Sequence, residues 1–487
     1  MTDVGQRVRT PSAPSVPTPA SRDQLGLGGW RIVLLASLGG TLEFYDFVIF
    51  GIFAKDIADA LFPSSSVIVS LMASFAAFAT GYLARPIGGI VLSHYGDRYG
   101  RRRVFLWSLF VMSGATLGMG LVPSYARWGV AASALMVLLR LIQGFCLGGE
   151  LPGALTYVVE TAPSTAPLVC GVVFACVTLG VAGATGVSLT LRVLLNPASV
   201  PLYGWRIAFV LGGLGGALSF MLRRSLEESP EFARMRALAA RQPFRELLRG
   251  HTVQVLVGCA LLAGTSCFTG LFFSHLPAYL AAVLRYDPGR AVFAQTIGVV
   301  AHALAILLVG WASDRVPPRA VLRVGAVLLM IFALPFYRAL ETQAVNLTLV
   351  LVLAGLCGGF VNGTFAVLLT DLFPTRIRFS GVALAFNVSF TVFSGLSPLV
   401  ATTLIRATGS RTAPAALIAT CAALSLAGSF GVGRYGGNVL KPRDSGQDGF
   451  SEQPPVLPAI NRGPLNQVLD LALRFMPAST PCILWRL

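Results

Sequence analysis

The stretch Ser93-His-Tyr-Gly-Asp97-Arg98-Tyr-Gly100-Arg101-Arg102 joins two long apolar runs. It sets an acidic residue beside a short basic cluster at the point where a hydrophobic segment ends. A loop this short cannot fold alone, so its charges serve membrane topology or the ends of the helices beside it. Only 12% of the 487 residues are charged and 55% are hydrophobic, against about 25% charged in an ordinary soluble chain. A soluble protein of this length needs polar surface for several domains, and this chain does not carry it. Apolar runs of about 18 to 25 residues recur instead, each long enough to cross a bilayer as a helix.

Turn and charge punctuation divides these runs into twelve spans. They begin near Arg31, Val67, Val104, Gly129, Leu168 and Arg206, then near Thr252, Ala291, Ala320, Val345, Ser380 and Ala413. The two sixes echo one another. Gly96-Asp97-Arg98 is matched by Ser313-Asp314-Arg315, and Glu160-Thr-Ala-Pro163 by Asp371-Leu-Phe-Pro374. Such duplication is what a transporter built from repeats shows. The expected fold is an all-α polytopic membrane protein, with twelve transmembrane helices in two pseudo-symmetric six-helix bundles. The expected divisions are a disordered N-terminal tail (1–29), a first bundle (30–222), a linker with helix-like charge patterning (223–250), a second bundle (251–433) and a C-terminal tail (434–487). Within that tail, Leu465 to Met476 has the pattern of a short amphipathic helix.

A net charge of +16 invites nucleic acid as a partner. The basic residues, however, sit in short clusters between spans, and no broad polar face gathers them. Membrane topology accounts for them better. The even-numbered loops hold about 16 arginines against about nine basic residues in the odd-numbered ones, so both termini are expected in the cytoplasm of an inner-membrane protein. The eight cysteines mostly fall inside spans without CxxC or Cys/His ligand spacing, which predicts free thiols. No GxSxG, HExxH or Walker-type GxxxxGK occurs. The chain is therefore not expected to be an enzyme or to hold a cofactor or metal, and an ion gradient is the natural energy source for transport.

Charge at bilayer depth costs several kcal/mol, so each buried charge should face a water-filled cavity or a partner. Span one carries Glu43-Phe-Tyr45-Asp46, whose carboxylates share a helix face, and span four carries Arg140. Glu43 and Asp46 are candidate proton-coupling groups. Arg140 stays charged and can fork onto a substrate carboxylate. Tyr45, Gln143, Asn362 and Asn387 are further candidates for the substrate path. The alternative for all of these is structural pairing between helices. Arg85 precedes Pro86 and can satisfy freed carbonyls, while Glu150 lies in a Gly/Pro-rich run that reads as a hinge or an ion pair at the cytoplasmic gate; both are candidate gating residues. His275 and His302 read as neutral core histidines with one hydrogen bond each.

The motif Asp97-Arg98-Tyr-Gly100-Arg101-Arg102 resembles the loop between the second and third helices of the major facilitator superfamily. Arg140-Leu-Ile-Gln143-Gly144 resembles that superfamily's span-four motif. Leu42-Glu43-Phe44-Tyr45-Asp46-Phe47, Arg85-Pro86-Ile-Gly88-Gly89, Glu228-Ser229-Pro230-Glu-Phe232 and Phe373-Pro374-Thr375-Arg376-Ile-Arg378 together look like its metabolite:proton symporter family. The resemblance implies the major facilitator fold, alternating access, and symport of an organic acid or zwitterionic osmolyte with protons; the expected state is a monomer in the lipid bilayer. It also implies a gating latch in which Asp97 faces the helix start near Ser380 while Arg98 and Arg101 tie neighbouring helix ends. Asp314, Arg315, Asp371 and Arg376 form the second-half counterpart. A drug:proton antiporter of the same fold and a non-transporting sensor remain as other readings.

Overall fold

The computed structural model describes residues 27–99, 101–223 and 243–440. Among them, ten helices are long and apolar enough to cross a membrane, and a bent pair supplies an eleventh. Helix Arg101–Leu121, whose apolar part Leu106–Leu121 is shorter, completes twelve. In chain order they are α1 (Leu27–Ile52, continued past a bend by Ala54–Leu61), α2 (Val67–Tyr99), α3 (Arg101–Leu121), α4 (Val130–Glu160), α5 (Ala166–Leu194) and α6 (Trp205–Arg223). The second six are α7 (Thr252–Val283), α8 (Pro288–Ala312), α9 (Pro318–Thr342), α10 (Leu347–Asp371), α11 (Arg378–Thr408) and α12 (Pro414–Tyr435). Each starts within about four residues of where the apolar runs begin. The expected tails and linker fall largely on residues outside those described, as does the Leu465 to Met476 segment.

The starts have local causes. Asp287 caps α8 by accepting from the Arg290 amide at 2.8 Å. Asn346 caps α10, accepting from the amides of Thr348 and Leu349. Each satisfies an orphan donor of the first turn. Pro288, Pro318 and Pro414 occupy first positions, where the missing N–H costs nothing. Several helices are broken midway. The pair making up α1 bends by 62°, α4 stops at Cys146 and resumes at Glu150, and α7 and α11 widen into π-turns at Gly270–His275 and Phe390–Gly395. Such breaks free backbone groups inside a bundle.

The halves α1–α6 and α7–α12 meet along two seams. On one, α5 lies against α8 with Gly171 facing Gly310, so that a Cβ at 171 would stand 3.1 Å from the Gly310 Cα. On the other, Thr391 of α11 donates to the Tyr82 carbonyl of α2 at 2.7 Å. We call the end where α1 begins proximal and the opposite end distal. Distally, the Phe75 and His275 rings lie 5.6 Å apart. Proximally, Arg378 Nη1 meets Glu160 Oε1 at 2.9 Å, and the Leu168 amide donates to Asp314 Oδ1 at 3.3 Å. The halves are thus in contact at both ends of the bundle.

Within the first half, α2 and α4 cross at near-zero side-chain thickness. A Cβ at Gly144 would strike the Gly81 carbonyl, one at Gly88 the Phe145 carbonyl, and one at Gly148 the Gly89 backbone. This crossing sets the backbone of Arg85 on α2 against Gly148 of α4, and Gly81 against the backbone of Arg140. Gly144→Ala is expected to destabilise the protein by about 1–3 kcal/mol or more through overpacking. Gly114→Ala, where the added carbon meets open space, should leave stability unchanged or slightly raised; thermal unfolding of the purified protein compares the two.

Candidate functional site

Glu43 and Asp46 are one turn apart on α1, and neither is more than 1% exposed. They take different partners. Arg85 Nη2 contacts Glu43 Oε1 at 2.6 Å, an ion pair with side chains 1% and 0% exposed. The Arg85 guanidinium also lies 5.5 Å from the Tyr82 ring centroid and 5.6 Å from that of Phe47. Phe386 closes over it from α11 at 5.9 Å and stacks on Phe390 at 4.2 Å, while Phe390 meets Phe44 edge-on at 6.4 Å. The Glu43–Arg85 pair therefore sits at the boundary between halves, roofed by aromatic rings of the second. Glu43 Oε2 and Arg85 Nε have no hydrogen-bond partner. Glu150, where α4 resumes, is near enough for its charge to act on Glu43.

Asp46 belongs to a second cluster inside the first half. Thr116 of α3 donates to Asp46 Oδ2 at 3.0 Å. Gln143 Nε2 donates to Thr116 Oγ1 at 2.9 Å, and Arg140 Nη1 donates to Gln143 Oε1 at 2.6 Å. Arg140 lies over the Phe50 ring, 4.0 Å from its centroid, in a box of rings that includes Phe47, Phe78 and Phe209. Those rings come from α1, α2 and α6, so Arg140 is enclosed by its own half. Tyr45 donates to the Ala208 carbonyl at 3.1 Å and ties α1 to α6.

The two asparagines stand apart from these clusters. Asn387 Nδ2 donates across the boundary to the Gly148 carbonyl at 2.6 Å, in the break of α4, and its Oδ1 is buried without a partner. Asn362 donates to Gly358 within its own helix. His302 Nδ1 meets the Gly355 carbonyl at 2.8 Å, and His275 Nε2 meets Thr402 at 3.2 Å.

At the proximal end, Asp314 lies against α5. Burial there raises its carboxyl above the ordinary aspartate range, while the Leu168 amide and Arg315 pull it down. Arg315 stacks on Trp311 at 4.2 Å, and Arg376 pairs on the surface with Glu246 at 3.3 Å. Asp371 is fully buried. It accepts from Arg319 at 3.0 Å and from the amides of Gly437, Val439 and Leu440, which fastens the chain beyond α12 onto the end of α10. The side chains of Asp97, Arg98 and Arg101 lie outside the described residues.

The family model described as Major Facilitator Superfamily matches residues 36–398. The chain belongs to the major facilitator superfamily. A citrate-proton symporter of Klebsiella pneumoniae is 34% identical over 409 residues, covering 81% of this chain and 92% of that protein. A glycine betaine/proline/ectoine/pipecolic acid transporter, OusA of Dickeya dadantii, is 30% identical over 81% of each chain. Among solved structures, the proton:xylose symporter XylE superposes with a TM-score of 0.66 at 16% identity, over 83% of this chain and 95% of that one. That likeness is one of fold.

In this facilitator, Thr116 and Tyr82 neighbour the candidate site residues, and nothing in the sequence singles them out. A threonine in an apolar helix bonds its own i−4 carbonyl as a rule, and only the rotation of α3 brings Thr116 to Asp46. Removing one partner of a buried ion pair strands the other charge. Arg85→Leu is therefore expected to cost about 3–5 kcal/mol. Arg85→Leu combined with Glu43→Leu should recover most of that loss, as read by thermal unfolding.

Proposed function

We propose that this protein imports a small carboxylate-bearing metabolite together with protons, and that the Glu43–Arg85 pair is where the two meet. The observation that carries this is a buried ion pair at the boundary between halves, with unpartnered polar atoms on both members and aromatic walls around it. Protonating Glu43 removes the charge that holds Arg85. A substrate carboxylate can then take the guanidinium bidentately, so substrate and proton enter the site together. The substrate contact falls to Arg85 rather than Arg140, because rings of the first half enclose Arg140 whereas Arg85 faces the second half. Asp46 serves as a further proton-accepting group, and Arg140 is its counter-charge.

The relatives' names support the substrate class: citrate, glycine betaine and proline all carry a carboxylate. Whether this chain takes an organic acid or a zwitterion depends on what faces a substrate's remaining groups, for which Tyr82 beneath the Arg85 guanidinium is a polar candidate. Basic residues gather at the proximal end, which supports a reading with that end and both termini on the cytoplasmic side of an inner membrane. Contacts at both ends of the bundle make the described conformation a closed one. Opening would part Glu160 from Arg378 on one side or Phe75 from His275 on the other. The remaining latch residues, Asp97, Arg98, Arg101, Asp314 and Arg315, would favour one of these states.

Proteoliposomes with an inward proton gradient, supplied with labelled citrate, glycine betaine or proline, test this. Substrate-dependent alkalinisation of the outside is expected for the wild type. Glu43→Gln should bind substrate with little dependence on pH and move fewer protons per substrate than the wild type. Wild-type proton movement in Glu43→Gln would defeat the assignment.

A further inference from the structure

Thr116 Oγ1 carries one proton and has two acceptors within reach. One is Asp46 Oδ2 at 3.0 Å, and the other is the Met112 carbonyl one turn back at 3.1 Å. The same oxygen accepts from Gln143 Nε2 at 2.9 Å, and Gln143 Oε1 accepts from Arg140 Nη1 at 2.6 Å. Every donor in this chain points from the guanidinium toward the carboxylate. At the far end, Arg140 Nε and Nη2 have no hydrogen-bond partner, so Gln143 orients the guanidinium among its rings.

We propose that Thr116 is a positioning residue that couples the protonation state of Asp46 to the guanidinium of Arg140. The proposal rests on the reading of Asp46 as a proton-accepting group. When Asp46 is ionised, the threonine proton lies toward Oδ2 and the chain is complete. When Asp46 takes a proton, its hydroxyl becomes a donor and the threonine proton turns to Met112. The threonine oxygen then accepts from Asp46 and Gln143 on its two lone pairs, and its own proton no longer polarises toward an anion, which makes it a poorer acceptor for the amide. The amide's hold on it weakens, and with it the orientation of Arg140.

The surroundings leave this exchange room and few competitors. Asp46 Oδ1 occupies the space that a Cβ on Gly212 of α6 would fill. The charged or titratable groups that face Asp46 are Glu43 and Tyr45 on its own helix and Arg140 on α4. From α3 and α6 it meets Thr116 and Gly212, neither of which titrates. Deleting the hydroxyl thus removes a single identifiable donor.

Infrared pH-difference spectroscopy on the purified full-length protein reads the exchange without a ligand, through the carboxylic-acid stretch that Asp46→Asn removes. Thr116→Val should move the midpoint of that band toward alkaline pH by about one unit, the effect of losing one hydrogen bond to a carboxylate. Thr116→Ser should restore the midpoint. Gln143→Leu should shift the band on its own and add nothing in the Thr116→Val background, as coupled sites do. Thr116→Ala substitutes if the valine variant does not fold. An unmoved midpoint in the hydroxyl-free variant, a serine variant that behaves like valine, or additive shifts would each overturn the relay while leaving Asp46 a proton site. If Asp46→Asn removes no titrating band, the reading of Asp46 itself fails and the relay with it.

Discussion

A guanidinium taken out of water loses hydration worth far more than any one contact returns, so it persists only where the protein surrounds it with acceptors, π-faces or an opposite charge. Arg85 and Arg140 both meet this condition, by different routes. Arg85 has a carboxylate at 2.6 Å. Arg140 has an amide oxygen at 2.6 Å and four aromatic rings, and it reaches its carboxylate only through Gln143 and Thr116. Two acidic residues one turn apart on one helix thus sit in unlike settings. One faces the boundary between halves, and the other is sealed within its own half. Adjacent carboxylates in unlike settings can take separate roles in one cycle.

The helix packing exists to make those pairings reachable. Backbones approach at Gly81, Gly88, Gly144 and Gly148 so closely that no side chain fits between α2 and α4 at these positions. Gly212 does the same for α1 and α6, leaving space for one carboxylate oxygen instead of a side chain. In a bilayer, where apolar contact between helices has no solvent drive, small residues and interhelical hydrogen bonds supply much of the association. The polar site and the glycine seams are therefore one arrangement.

Much of this was legible in the residues. Apolar run length located the helices, because only a continuous run crosses hydrocarbon. Glu43, Asp46, Arg85 and Arg140 stood out, because charge in such a run is costly enough to need a reason. The break in α4 followed from Gly148, Gly149, Pro152 and Gly153. What the sequence left open was pairing. That Glu43 meets Arg85, and that Asp46 meets Arg140 at one remove, depends on helix rotation and crossing distance, which a one-dimensional pattern does not encode. Thr116 and Tyr82 were invisible for the same reason, since hydroxyls in membrane helices are common and usually bond locally. The π-turns in α7 and α11 lie just before Pro277 and Pro398, whose missing N–H groups leave the Phe273 and Ser394 carbonyls without their helical donors. A proline alone, however, does not distinguish a π-turn from a kink. Asp371 matches Glu160 by the symmetry of the two halves in sequence, yet Glu160 bonds across the halves while Asp371 holds residues 437–440 of its own half.

Arg378 gives that last difference its weight. Its Nη1 grips Glu160 of the other half, its Nε caps the Phe373 carbonyl, and its Nη2 reaches the Asn438 carbonyl at 3.5 Å. Asn438 in turn returns its side-chain amide to the Asp371 backbone at 2.8 Å. One planar cation thereby joins the seam between halves to the residues from which the C-terminal extension departs. A parting of the seam at Glu160 would therefore remove one of the three bonds that hold this cation in place.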